Sequence, residues 1–142
     1  MVTPTETTHP ARLASQRSVA AVQAKDKQAW LDLWAEDGCV EDPVGVSFID
    51  PTGEGFRGAA RREEFWDKNI GPTDSIVFAL HDSFAAGNEV ANVATITITV
   101  GGSTVTECEG VFVYRVDDDG KLLSLRAFWE TDRMMGTLRQ IG

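Results

Sequence analysis

The chain has 142 residues, enough for one domain with its own core, and its 42% hydrophobic and 25% charged content is ordinary for a globular protein. A formal net charge of −9 argues against nucleic acid and anionic membrane surfaces as partners, and leaves an uncharged small molecule as the favoured ligand class. No apolar run approaches the ~20 residues of a membrane span, and no leader-like pattern opens the sequence. His9 and His81 are too few and too scattered for a zinc site. Cys39 and Cys108 read as buried free thiols of a cytoplasmic protein, so neither a metal nor any other cofactor is expected.

Residues 1–8 are polar and Thr-rich and read as a flexible terminus, ahead of a single domain over 9–142. Pro10 suits the first turn of a helix capped by Thr8 or His9 and running to about Ala24. Ala14, Ser18 and Val22 share one face of it. Ser18 reads first as a hydroxyl bonded back to its own helix, with a donor role the alternative. Asp26 caps a second helix, whose Trp30, Leu33 and Trp34 recur at core spacing, and Gly38 closes it in the left-handed region.

A strand of about four residues follows and stops at Pro43, which cannot donate a ladder hydrogen bond. Strand alternation puts Asp42 on the face of Val40, with Cys39 and Glu41 on the other. A carboxylate ending an apolar strand face is what a buried general base requires. The competing reading is an aspartate that caps the turn through Pro43 to Gly45.

The loop from Val46 to Gly58 is long for a compact domain and has the character of a lid. A third helix covers Ala59 to Asn69, with Phe65 and Trp66 inward and Arg61, Arg62, Glu63 and Glu64 a solvated charged turn. The remainder is strand. Ile76–Phe84 turns at Gly87-Asn88 into Val90–Val100, Gly101-Gly102 serves as a two-residue hairpin into Ser103–Val116, and Asp117–Gly120 turns into Lys121–Glu130. The order α-α-β-α-β-β-β-β predicts an α+β fold, three helices packed on one face of a curved, mainly antiparallel sheet.

The two-residue loop would pair Thr97 with Thr106 and Ile98 with Val105, and the following turn would pair Phe112 with Leu125. One face would then hold Thr95, Thr97, Cys108, Phe112, Tyr114, Leu125 and Trp129. The other would hold Ile96, Ile98, Val111 and Phe128, with Glu109 and Arg126 near one another at its rim. That second face is the expected homodimer interface, being too apolar to stay wet. A one-residue slip would exchange the faces.

Residues 34–45, WAEDGCVEDPVG, resemble the stretch bearing the catalytic aspartate of Δ5-3-ketosteroid isomerases in the nuclear-transport-factor-2-like (cystatin-like) superfamily, which includes SnoaL-like proteins. The likeness extends through ASQRSVAAVQAKDKQAWLDLW, FRGAARREEFWDKNI and GVFVYRVDDDGKLLSLRAFWE, over roughly residues 10–130, and looks closest to actinobacterial isomerase-like members. It implies a cone-shaped fold of three helices on a curved sheet, and a reaction in which an aspartate lifts a proton beside a ketone. A tyrosine and a protonated aspartic acid then hold the dienolate oxygen.

Matched residue by residue, Asp42 falls on the base, Ser18 on the donor tyrosine, Phe112 on the donor aspartic acid and Trp66 on a supporting tyrosine. The base is present and both usual donors are replaced. Tyr114, Ser18 through water, or the Trp66 indole N–H are the candidate substitutes. The expected cavity is bounded by Ser18, Trp34, Asp42, Phe56, Phe65, Trp66, Phe112, Tyr114, Leu125 and Trp129, with Asp42 its only carboxylate and its pKa raised by burial. The reading is an isomerase-like pocket for an apolar, keto-bearing, steroid-like ligand, its turnover weakened. The alternatives are a non-catalytic steroid- or lipid-binding protein, or a SnoaL-like cyclase or hydrolase acting on another substrate.

Overall fold

A computed structural model describes residues 9–141; the terminal stretch 1–8 lies outside the described residues. Helix α1 (Pro10–Gln23) starts with His9, whose Nδ1 accepts a hydrogen bond from the Ala11 amide at 3.2 Å, and Pro10 occupies the first turn. Helix α2 (Lys27–Leu31) is a single short turn capped by the Asp26 carboxylate, which accepts from the Ala29 amide at 3.1 Å. Strand β1 (Trp34–Glu41) and strand β2 (Phe56–Arg57) flank the long loop of residues 42–55, and helix α3 (Ala59–Asn69) follows. Strands β3 (Ser75–Ala86), β4 (Glu89–Val100), β5 (Thr104–Val116) and β6 (Leu122–Phe128) complete the main sheet. Helix α4 (Thr131–Met135) and the two-residue strand β7 (Arg139–Gln140) close the chain.

The sheet runs β2-β1-β6-β5-β4-β3, with β7 on β5, and all pairings are antiparallel except β1 with β6. Helices α1 to α3 pack against it, so the architecture is the expected α+β one. No helix among the described residues is long and apolar enough to cross a membrane.

Three local expectations are overturned. The second helix ends at Leu31 rather than Gly38, and Trp34 already belongs to β1. Gly38 closes no helix. It lies inside β1, where a Cβ would stand 2.8 Å from both the Leu122 carbonyl oxygen and the Trp34 ring, so the site admits only hydrogen. Arg62 is buried rather than solvated: its Nη1 donates to the carbonyls of Gly38 at 2.8 Å and Glu36 at 3.2 Å, and its guanidinium lies over the Trp34 ring.

The fourth correction is the register. Residues 101–103, not two glycines alone, connect β4 to β5, since Val100 pairs with Thr104. Ile98 therefore opposes Thr106 and Ile96 opposes Cys108, one residue from the expected pairing. An odd shift exchanges the faces of one strand relative to its neighbour. Ile96 and Ile98 now share the helix-facing side with Cys108, Phe112 and Tyr114, while Thr95, Thr97, Glu107, Glu109 and Val111 point outward. Between β5 and β6 the shift is even: Phe112 opposes Ala127 and Tyr114 opposes Leu125, so the expected faces survive. At the rim, Arg126 pairs with Glu41 at 2.8 Å and Glu109 with Arg133 at 2.9 Å, not with one another.

Candidate functional site

Between the helices and the inner sheet face lies a cavity of about 220 Å³. Asp42 sits at its wall because β1 carries the chain there and releases it at Pro43 through a cis Asp42–Pro43 bond. Pairing of Val40 and Glu41 with Leu125 and Arg126 of β6, and the bond from the Val44 amide to the Ala127 carbonyl at 2.9 Å, fix its height. Just beyond β6, the Trp129 indole Nε1–H donates to Asp42 Oδ1 at 2.5 Å. That bond holds one carboxylate oxygen.

Asp42 lies deep in the protein and keeps accessible surface only as a cavity-lining, half-buried group. Burial raises its pKa from 3.8 to about 6, and the Trp129 hydrogen bond pulls the other way without cancelling that. Among the described residues lining the cavity it is the only carboxylate. A carboxylate in this range is half ionised near pH 6 and largely ionised at neutral pH, where it can still take up a proton with useful strength.

Two further protic groups feel its charge. Tyr114, on β5, is 3% exposed and shares a hydrogen bond with Ser18 of α1. Burial, then the Asp42 charge, push the phenol pKa up, and the Ser18 bond opposes them, so the hydroxyl remains a donor. Cys108 is likewise held as a neutral thiol by burial first and by Asp42 second.

The cavity brings together Ser18, Asp42, Phe65, Phe112, Tyr114, Leu125 and Trp129. It does not include Trp34, Phe56 or Trp66. These three were expected at the wall, but they fill the layer behind it: Trp30 meets Trp34 at 5.4 Å and Trp66 at 5.5 Å between ring centroids, and Phe56 meets Phe65 at 5.3 Å. A packed aromatic layer excludes its outer members from the open space.

Other lining groups escaped the sequence reading. Ile96 and Ile98 were missed through the register, while Phe48 and Ile49 come from the loop between β1 and β2 and Met134 from α4. Phe48 is 65% exposed, and a large apolar residue in a Gly/Pro-rich loop was the signal that could have found it. The loop is held from within by buried Asp50. Its Oδ2 accepts from the Gly55 amide at 2.7 Å and its Oδ1 from the Thr52 hydroxyl at 2.8 Å. Burial opposes the Asp50 charge, but these bonds and the backbone of residues 52 and 53 outweigh it and hold its pKa below normal.

A SnoaL-like domain matches residues 15–125. The chain belongs to the SnoaL-like, ketosteroid isomerase-like family. It is 30% identical over 129 residues to the steroid Δ-isomerase of Nocardioides simplex, covering 89% of this chain and 94% of that protein. Among solved structures it is similar to the Δ5-3-ketosteroid isomerase of a Mycobacterium species, with 35% identity and a TM-score of 0.84 over 94% of this chain and 100% of that one. A Mycobacterium tuberculosis protein solved in complex with estradiol-17β-hemisuccinate is 31% identical, with a TM-score of 0.84 over 93% and 99% of the two chains.

Proposed function

We propose that the protein binds a flat, apolar, keto-bearing ligand of the steroid class and that Asp42 is the general base for proton transfer within it. One observation carries this reading: a carboxylate with a pKa near 6, held by Trp129, is the only acid among the described residues lining a mainly apolar cavity. The steroid-related relatives support that ligand class. Asp42 takes a proton from the carbon beside the ketone, and the developing oxyanion meets the Tyr114 hydroxyl, itself positioned by Ser18. A second strong donor is missing, because Phe112 stands where the resemblance puts an aspartic acid. Turnover is therefore weak.

The test is a fluorescence titration with a 3-oxo-Δ5 steroid, with enone formation followed in the same sample. Binding with slow isomerisation, and a kcat/KM that rises with pH to half its plateau near 6, is the expected result. Binding without conversion at any pH would make the protein a ligand carrier. Efficient isomerisation would show that Phe112 disables nothing. No binding would leave the pocket to another substrate class, such as that of a cyclase or hydrolase.

Phe112→Asp should raise turnover per folded molecule by roughly 10²–10³, the worth of one oxyanion donor. Near Asp42 the new carboxyl would stay protonated and able to donate. Ser18→Tyr is not its useful companion, because the Ser18 hydroxyl is already engaged with Tyr114 and a larger group would displace it. Single-turnover assays of Phe112→Asp beside the unmodified protein measure the gain; an unchanged rate would mean that Tyr114 already suffices or that the geometry is foreign to this reaction.

We also propose a homodimer through the outer sheet face. Val77, Phe84, Val111 and Phe128 are exposed there, and a shallow groove of about 480 Å³ runs past Val44, Val93 and Val111. Val111→Glu should convert a dimer to monomer in sedimentation at micromolar concentration; a monomer before substitution would sink the idea. Both thiols are free and buried, as suits a reducing compartment, and the cytoplasm is the proposed location.

A further inference from the structure

A second cavity, of about 310 Å³, lies under α1 and is lined by Ser15 and Val19 of the helix and by Leu80, Ser83, Asn92 and Ala94 of the sheet. It shares part of its wall with the Asp42 cavity. Along β4, Asn92 and Ala94 line the second and Ile96 and Ile98 the first, all on one strand face at i, i+2 spacing. Phe78, Phe112 and Tyr114 line both. The inner sheet face thus carries two neighbouring cavities with Phe78, Phe112 and Tyr114 as their shared wall.

Its far end is polar by construction. Asn92 is 8% exposed and Ser15 is 2% exposed. Asn92 Oδ1 accepts from the Ser83 hydroxyl at 2.7 Å, and Asn92 Nδ2 donates to Ser15 Oγ at 3.1 Å. Arg12 Nε donates to Ser83 Oγ at 3.0 Å and so fixes the serine that fixes the amide. An amide nitrogen carries two hydrogens, and Ser15 takes one. The Asp42 cavity, meanwhile, falls short of the roughly 300 Å³ at which pockets for drug-sized ligands begin, while the two cavities taken together fall within that range.

We propose that this second cavity is a subsite for the distal, oxygen-bearing end of the ligand, with Asn92 as its hydrogen-bond donor. The ligand class is an elongated apolar molecule with a neutral oxygen at each end, a ketone by Asp42 and a hydroxyl or second ketone by Asn92. Phe78 and Phe112 swing aside to admit its middle. Phe112 thereby gains a role beyond an absent donor: it decides whether a ligand passes from one cavity to the other. This inference rests on the proposed keto-ligand reading and deepens it.

The test measures two probes by titration, a 3-oxo steroid bearing a 17β-hydroxyl and the same nucleus with hydrogen at C17. On the unmodified protein the hydroxylated probe should bind about 3- to 10-fold tighter, the worth of one net hydrogen bond. Asn92→Leu should abolish that preference while leaving the other probe unchanged. Ala94→Leu, which fills the second cavity without touching the polar network, should weaken both probes about tenfold or more, and a thermal melt confirms that each variant is folded. Equal affinity for the two probes, or affinities that neither substitution alters, would overturn the subsite while the keto-ligand reading stands; the distal end would then project past Phe48 in the loop between β1 and β2. No binding of either probe to the unmodified protein would overturn both.

Discussion

Asp42→Asn is expected to remove proton abstraction and, in the same protein, to raise stability above neutral pH. Loss of a positioned base costs on the order of 10²–10⁴ in rate. The stability change follows from the raised pKa. In the unfolded chain the carboxyl ionises near 3.8, but in the fold it holds its proton to about 6. Its contribution to stability is fully present below the unfolded value, is lost as pH rises toward about 6, and stays lost above it.

A shift from 3.8 to about 6 corresponds to ~3 kcal/mol at most, and contact with the cavity reduces it to about 1–3 kcal/mol. Asparagine has no charge to desolvate and still offers Oδ1 to Trp129. The variant should therefore melt on the order of 5–10 °C higher at pH 8, and with no advantage below pH 3.8. Paired melts at the two pH values isolate Asp42, because every other titrating group is common to both proteins. Equal melting temperatures at pH 8 would mean that the carboxylate is better solvated than its surroundings imply.

Trp30→Ala should be the most damaging single truncation away from the base. Trp30 is 1% exposed and joins three elements, meeting Trp34 of β1 and, through α3, Trp66 and Phe65, the last at 6.2 Å between centroids. It stands on α2, a five-residue helix too short to persist without that packing. Removing a buried tryptophan costs about 3–5 kcal/mol through lost transfer and residual cavity. Against a usual total of ~5–15 kcal/mol, that is a large fraction. Urea unfolding should show a lowered midpoint at unchanged slope. Because Trp30 also lines the Asp42 cavity, the variant should bind its ligand more weakly even where it is folded. A loss under about 1 kcal/mol would show that the aromatic layer repacks.

Trp30 and Asp42 were both legible in the sequence, for local reasons. Apolar spacing marks a core residue, and strand alternation with a proline stop marks a carboxylate at the end of an apolar face. The hairpin tip at Gly87-Asn88 and the span of α3 were legible for the same reason, since turn chemistry and periodicity act over a few residues. What the sequence could not give was anything that depends on how one segment meets another. The residues after Val100 permit a two- or three-residue connection with equal ease, and only packing of the whole sheet selects the longer one. That choice moved Ile96 and Ile98 from the outer face to the cavity.

Distance in the chain explains the rest. The Trp129 bond to Asp42 spans 87 positions, and the Tyr114–Ser18 pair joins a strand to the first helix. Arg62 looked solvated within its charged turn, because burial by Trp34 and the carbonyls of β1 leaves no mark on neighbouring residues. By itself the sequence determined the main helices and strands and the α+β layering, and it marked Asp42 as the candidate base, all through local periodicity and turn chemistry; the short elements Phe56–Arg57, Thr131–Met135 and Arg139–Gln140 left no such signal. The tertiary structure alone decided the sheet register, the lining of the two cavities and the raised pKa of Asp42, because each is set by contacts and desolvation between residues far apart in the chain.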